Sequence, residues 1–472
     1  MRRGWIALLA CLLPTTSLHA APVVTPADAA PVNPQHTTPV DTRQVEKQAP
    51  VYKAVDKLKI TSVDPRVNIG DVGILTGIAS TELVQAGGLY MVNQFDDTHP
   101  TSAEKAALIR NANHKIDGNE VDVLRAVGDV DGSVYVQYTV RNGQGGRNPH
   151  IRKIKPDNGL GFDVQVLLEP KAGIAPDGAG GVYVVTHKTF DSDNNFYTDS
   201  TAHQSLRIDA AGATTWQVAE AGAPQPHGNP DYWSSAARSN QGVYVGYGVG
   251  TSGSDDPTPV LLHRKAGDGS KLYTRTGLKA PAAGSSNGTT GNTPLRGLVD
   301  RIWPQSDGSV VARVFNSTAD QMFVRVDSGG TQTAAFKCPE VNPQLLPHNN
   351  GVVCVGMPAD GTIHLHHYGL TGGNLQKLGS WTSAAINGWD FDHIAVTVDG
   401  QYLATAKTSG FAGIALFSPV GVLLVKELAT ARPGYFTGLI VGGHDWLAMH
   451  KSTYPEDLRP SVFRGTLAPG RL

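Results

Sequence analysis

The chain has 472 residues, 54 of them Gly and 30 Pro, with only 17% charged residues and a formal net charge of -2. That balance excludes a coiled coil or helical bundle and suits many short strands joined by tight turns. Lysine and arginine are scattered, so the cationic footprint that a phosphate backbone demands is missing and nucleic acid is not an expected partner.

Arg2 and Arg3 precede an apolar run from Gly4 to Leu13, and Pro14 breaks it. Thr15 to Ala20 is then a small-residue stretch with Leu18 and Ala20 at the positions a signal peptidase reads. Leu8-Leu9-Ala10-Cys11 also matches a bacterial lipobox, whose cleavage would leave Cys11 acylated on a membrane. Cleavage after Ala20 keeps the longer apolar core, and either cut implies export to the periplasm or beyond. No later segment reaches the ~20 apolar residues that a spanning helix needs. Residues 21–58 carry Pro22, Pro26, Pro31, Pro34, Pro39 and Pro50, spaced too closely for helix or central strand, and read as an extended linker. One folded domain is expected over 59–472.

From there a unit recurs in which Gly with Asp or Asn precedes a β-rich run. It appears at Gly87–Val92, Asp131–Val136, Gly180–Val185, Gln241–Val245, Asp307–Val311, Asn350–Cys354, Asp399–Leu403 and Gly443–Leu447. The spacing is about 50 residues, within the range of propeller repeats. A second hairpin follows several copies, as in Gln204 to Asp209 with Thr214 to Val218, and Met322 to Asp327 with Thr331 to Phe336. Two hairpins per repeat predict four-stranded antiparallel blades, and the copies predict an all-β propeller of eight blades, with seven as the alternative. The last repeat lacks a fourth strand after Val462 to Leu467, so an early strand near Leu58 to Val63 is expected to close the ring and remove an open edge.

These repeats resemble those of bacterial extracytoplasmic β-propellers, especially proteins with PQQ-like repeats, over about Val72 to Leu467 and at the level of architecture. Asp209-Ala210-Ala211-Gly212-Ala213-Thr214-Thr215-Trp216 is similar to the family's Asp, Gly and Trp docking motif. The corresponding turns at Asp268-Gly269, Ser328-Gly329-Gly330 and Thr371-Gly372-Gly373 lack the tryptophan. PQQ binding and dehydrogenase activity are therefore not carried over, and Asp209 and Trp216 are assigned to blade packing.

Loop lengths are unequal in a consistent way. Turns within hairpins are short, whereas connections from second to third strand (Thr139–His150, Lys188–His203, Gly248–Pro259) and between blades (Glu220–Asp231, Gly277–Arg296) are long. In a propeller both long classes emerge on one side, which becomes the expected binding face. Several blades begin there with acids beside aromatic residues: Asp231-Tyr232-Trp233, Asp300-Arg301-Ile302-Trp303 and Trp389-Asp390-Phe391-Asp392-His393. Asp231, Tyr232, Trp233, Asp300, Arg301, Trp303, Trp389, Asp390, Asp392 and His393 are the candidate ligand contacts, since Trp, Tyr and Arg are common anchors.

Other features carry less. Thr101 to Asn113 reads as a short helix inside an insertion, with Ser102 as its cap. Asp191, Asp193, Asn195 and Asp199 offer oxygen ligands at alternate positions, but Phe196 and Ala202 stand where a calcium loop needs Gly and Glu, so an acidic solvated loop is the ordinary reading. Gly284-Ser285-Ser286-Asn287-Gly288 matches a nucleophile elbow only formally, because no helix follows. Cys338 and Cys354 fit one disulfide in an oxidising compartment, or two buried thiols. His364 and His366 share a strand face but fall short of a metal set, and read as an exposed polar face.

No cofactor is expected beyond that incomplete calcium loop. The leading functional expectation is a non-catalytic envelope protein that binds a protein, peptide or glycan on its long-loop face. The alternative is a propeller enzyme, a metal-assisted hydrolase, lactonase or glycan-processing enzyme, with acids and His393 at the channel mouth. N-terminal sequencing of the exported chain should begin at Ala21; a lipid-modified Cys11 at the terminus would select the other cut.

Overall fold

The computed structural model describes residues 59–64, 82–93, 109–111, 115–116, 119–141, 147–157, 159–166, 173–187, 203–220, 235–249, 257–283, 288–316, 321–341, 343–348, 351–371, 374–453 and 461–467. The period-two apolar runs become antiparallel ladders. Ile174–Pro176, Val182–His187, His203–Ile208 and Thr214–Ala219 form one sheet in that order. The same meander recurs from Ser235–Arg238 to Lys271–Arg275, from Leu298–Pro304 to Gln332–Lys337, and from Gln344–His348 to Asn374–Thr382.

First strands stand side by side around an axis. Glu82–Gln85 neighbours Asn119–Gly128, which is followed by Ile174–Pro176, Ser235–Arg238 and Leu298–Pro304, and Leu423–Gly442 packs back against Glu82–Gln85. The chain is a β-propeller with four-stranded antiparallel blades. Closure is by the expected early strand: Lys59–Asp64 pairs with Ser461–Thr466, Lys59 opposite Thr466. The chain's two ends thereby share one sheet, and an edge that would otherwise be open is paired.

Blade number departs from the expected eight, or seven. Among the described residues six sheets have four strands or more: four of four strands, one of five and one of seven. The copies at Asp399 and Gly443 share the seven-stranded sheet, because Leu423–Gly442 pairs with Phe411–Phe417 on one side and Asp445–Ser452 on the other. The first copy lies in a three-stranded sheet, where Leu89–Asn93 runs parallel to Ile109–Asn111. That pairing also replaces the end of the helix expected at Thr101–Asn113, since Ile109–Asn111 is a strand whose backbone pairs with a neighbour; 101–108 and 112–113 lie outside the described residues. The signal region to Ala20, Cys11, and the linker at 21–58 lie outside the described residues.

A lone four-stranded sheet could not bury both its faces. Here the apolar clusters form between sheets. Tyr183, Val185 and Trp216 meet Val243, Val245 and Tyr247, while Tyr244 and Leu261 meet Val299 and Val310 across the next interface. Trp216 fulfils its packing role: it is 7% exposed, and its Nε1–H donates to the Ala266 carbonyl of the neighbouring sheet at 2.9 Å. Gly269 at φ 68° completes that seat, since a Cβ there would lie 2.7 Å from the indole. Hairpin tips opposite the long loops are tight because their acids satisfy the turn backbone. Asp131, Asp157, Asp177, Asp209, Asp268, Asp307 and Asp327 each accept the N–H two residues on.

The cysteines are joined. Cys338 follows an outer strand of one sheet and Cys354 lies in the second strand of the next, with Cα atoms 6.0 Å apart and a separation of 16 positions in sequence. Both sit in an interface with Phe323, Leu345 and Val352. Closing a loop of that length is worth ~3 kcal/mol. The double variant Cys338→Ala/Cys354→Ala should therefore lower unfolding stability by about that amount in urea titration; an unchanged midpoint would contradict the staple.

Candidate functional site

The first strands carry the expected ligand contacts to several places. Asp300 forms a two-pronged ion pair with Arg313 on the adjacent strand, both side chains little exposed, and Arg313 also donates to Gln321. The acid is thus neutralised locally. Arg301 is exposed and lies among charges of both signs, with Arg313 and Arg125, the latter on the Asn119–Gly128 strand, opposing its charge and Asp300 supporting it. Trp303 packs partly buried against the cluster holding Val311, Phe323 and Cys354, and Trp389 against the one holding Val353, Phe391 and Tyr402. These two tryptophans belong to interfaces between blades.

Asp390 is exposed, while Asp392 and His393 are half-buried. Burial raises the Asp392 carboxyl pKa, a hydrogen bond from the Thr405 hydroxyl opposes the shift, and Gln344 of the preceding sheet donates to the Asp392 carbonyl at 2.9 Å. Among the described residues no three His, Cys, Asp or Glu side chains are grouped so as to hold a metal ion. Asp231, Tyr232 and Trp233 lie outside the described residues, as do Asp191, Asp193, Asn195 and Asp199.

A different cluster stands at the upper outer corner of the 344–382 sheet. Glu340, in the connection from the preceding sheet, is held by two histidines: His364 Nδ1 lies 3.0 Å from Oε2 and His366 Nε2 lies 2.6 Å from Oε1. His366 Nδ1 is 2.9 Å from the hydroxyl of Ser380, its cross-strand partner. The far side of His364 lies 3.2 Å from Thr362 Oγ1, which donates to Asp360 at 2.6 Å. Side-chain exposures of 29% for His364, 13% for His366 and 16% for Glu340 replace the solvated strand face expected of the histidines. Gly356 makes room for the carboxylate, since a Cβ there would fall 2.2 Å from Glu340 Oε2. Burial lowers the His366 pKa; the hydrogen bond and charge of Glu340 oppose this, and Lys377 and His364 add to it.

Beside this cluster runs a cleft of about 410 Å³ between the two sheets, walled by Pro281, Met322, Phe336, Pro339 and Tyr368 with Lys337 and Lys377 at its border. Its outer wall is an insertion, Lys279–Pro281 paired with Thr290–Pro294. The Gln332 side chain anchors this insertion, accepting from the Lys279 N–H and donating to its carbonyl at 2.8 and 2.7 Å. The pairing of His364 with His366 was readable from alternation. Glu340 and Ser380 were not, because only the cross-strand register and a connection between sheets bring them to the same imidazole.

No family model matches the chain, and no curated protein matches it. Solved structures that resemble it include a puromycin-hydrolysing peptidase of Mycobacterium tuberculosis, at 13% identity over 72% of this chain and 51% of that one, TM-score 0.40. Prolyl oligopeptidase B from Galerina marginata is 11% identical over 74% and 52%, TM-score 0.41. The quinohemoprotein alcohol dehydrogenase of Comamonas testosteroni is 8% identical over 71% and 73%, TM-score 0.38. The chain spans about half the length of the two peptidases.

Asp300→Ala would leave the Arg313 guanidinium, 13% exposed, without its carboxylate. A stability loss of about 3 kcal/mol in denaturant titration is expected, and a loss near zero would show that the pair does not hold the fold.

Proposed function

We propose that the chain is an exported cell-envelope propeller that binds a protein, peptide or glycan through its long-loop side, a face that acts by binding rather than by chemistry. The observation that carries this is the asymmetry of the connections around the 174–219 sheet. Hairpin tips on one side are reduced to acid-capped turns such as 177–181 and 209–213, while on the other side 188–202 separates second from third strand and 220–234 separates two sheets. Extended connections on a rigid ring serve recognition more often than packing.

Arg301, Asp390 and His393 on the first strands, with Asp231, Tyr232 and Trp233 in the 220–234 connection, are the proposed contacts. Release after Ala20 would place the protein in the periplasm or outside the cell, and acylation at Cys11 would hold it on a membrane. The acidic channel mouth that an enzyme reading needs finds no support at Asp300, which is occupied by Arg313.

The test is affinity capture from envelope extract with the mature chain, compared with Trp233→Ala and Tyr232→Ala. A partner held by an aromatic anchor should bind about 30-fold more weakly to the variants, which corresponds to ~2 kcal/mol. Equal recovery by all three proteins would remove the loop from the interface.

A further inference from the structure

The cluster at the corner of the 344–382 sheet has the order that nucleophilic catalysis requires: hydroxyl, imidazole, carboxylate. Ser380 Oγ lies 2.9 Å from His366 Nδ1, and His366 Nε2 lies 2.6 Å from Glu340 Oε1. Both ring nitrogens are thus engaged, one toward a hydroxyl that can give a proton and one toward a carboxylate that can only accept. The carboxylate fixes the tautomer that leaves Nδ1 as the base.

Exposure follows the same division of labour. Ser380 is exposed, whereas His366 and Glu340 are largely covered. Glu340 is fixed from its other side by His364 and set against the backbone of Gly356. Asn374–Thr382, which carries Ser380, is the outermost strand of its sheet among the described residues, so a substrate can approach it from the side.

Residues next to this set wall the cleft. Pro339 in its wall precedes Glu340, Tyr368 follows His366 by two positions on the same strand, and Lys377 lies close enough to His366 to disfavour its protonation. Apolar walls of Pro281, Met322 and Phe336 suit an acyl chain, and Lys337 with Lys377 suit a negative charge at its end.

We propose that Ser380, His366 and Glu340 form a nucleophile, base and positioning carboxylate that hydrolyse carboxylic esters whose acyl part lies in this cleft and ends in an anion. Ser380 Oγ bonds to the ester carbonyl carbon as its proton passes to His366 Nδ1. The bond from that carbon to the leaving oxygen breaks, and His366 returns the proton so that an alcohol departs. Water then adds to the acyl-serine and gives its proton to His366. The bond to Ser380 Oγ breaks, the hydroxyl is restored from His366, and the carboxylic acid leaves. One ester and one water yield one acid and one alcohol.

This activity uses none of the residues proposed as partner contacts, so either can fail alone. The probes are a fluorophosphonate, with the adduct located by mass spectrometry, and two esters, 4-nitrophenyl butyrate and 4-nitrophenyl hydrogen glutarate. An adduct on Ser380 is expected, absent in Ser380→Ala, with ester hydrolysis lowered about 100-fold or more in that variant. Because Ser380 is exposed, its removal should leave the melting temperature unchanged. Glu340→Gln and Gly356→Ala should lower kcat, and Lys377→Ala should raise KM for the glutarate ester more than for the butyrate.

The acid limb of the rate should fall below pH ~6.5, the ordinary imidazole value. Burial, aided by Lys377 and His364 and opposed by Glu340, keeps His366 neutral to lower pH, and activity is lost as pH falls through its depressed pKa. No adduct at Ser380, or ester hydrolysis equal in Ser380→Ala and the unaltered protein, would overturn the proposal.

Discussion

Burial between blades is the constraint from which the rest follows. Each sheet presents two apolar faces, and neither can be covered by the sheet itself, so Val353 and Leu365 need Phe391 and Tyr402, and Leu403 and Ile414 need Phe436 and Trp446. Every interface is thereby conditional on its neighbour. Only a closed circle leaves no face uncovered, which is why pairing of Lys59–Asp64 with Ser461–Thr466 matters beyond the hydrogen bonds it supplies.

Polar groups inside this ring are tolerated where they are paired. Glu220 accepts two hydrogen bonds from Arg264, at 2.8 and 2.6 Å, with Ser205 as a further donor, and both ionised side chains are almost fully buried. Arg207 meets Asp177 and Arg325 meets Asp307 in the same manner, each tying a third strand to the turn between the first two. These acids have double duty, since Asp177 and Asp307 also hold the hairpin tips. Turn geometry and blade packing are therefore linked through single side chains, and the trimmed side of the ring is rigid for that reason.

The opposite side is free of this requirement, because its connections need not satisfy a turn of fixed length. The 276–297 connection uses that freedom structurally: Leu278 and Leu295 are buried, and the hairpin between them covers an outer strand edge. In doing so it builds the wall of a cleft beside Glu340, His366 and Ser380. A device that protects one blade's edge thus creates a partly enclosed space at the next blade, and this juxtaposition distinguishes that corner from an ordinary polar strand face.

Much of the architecture was legible because it rests on local pattern. Period-two apolar runs, Asp and Gly at hairpin tips, the spare first strand and the Cys338–Cys354 pair are properties of neighbouring residues or of one simple closure rule. Blade number was not, since whether Leu423–Gly442 ends one sheet or joins two depends on the strands at its sides. The fate of charged residues was equally hidden: Asp300 reads as a free acid until Arg313 appears across the ladder. Sequence alone determined the repeat and its turns, because those obey short-range stereochemistry. Tertiary structure decided which side chains meet, because Glu340, His366 and Ser380 are made neighbours by register and by packing between blades.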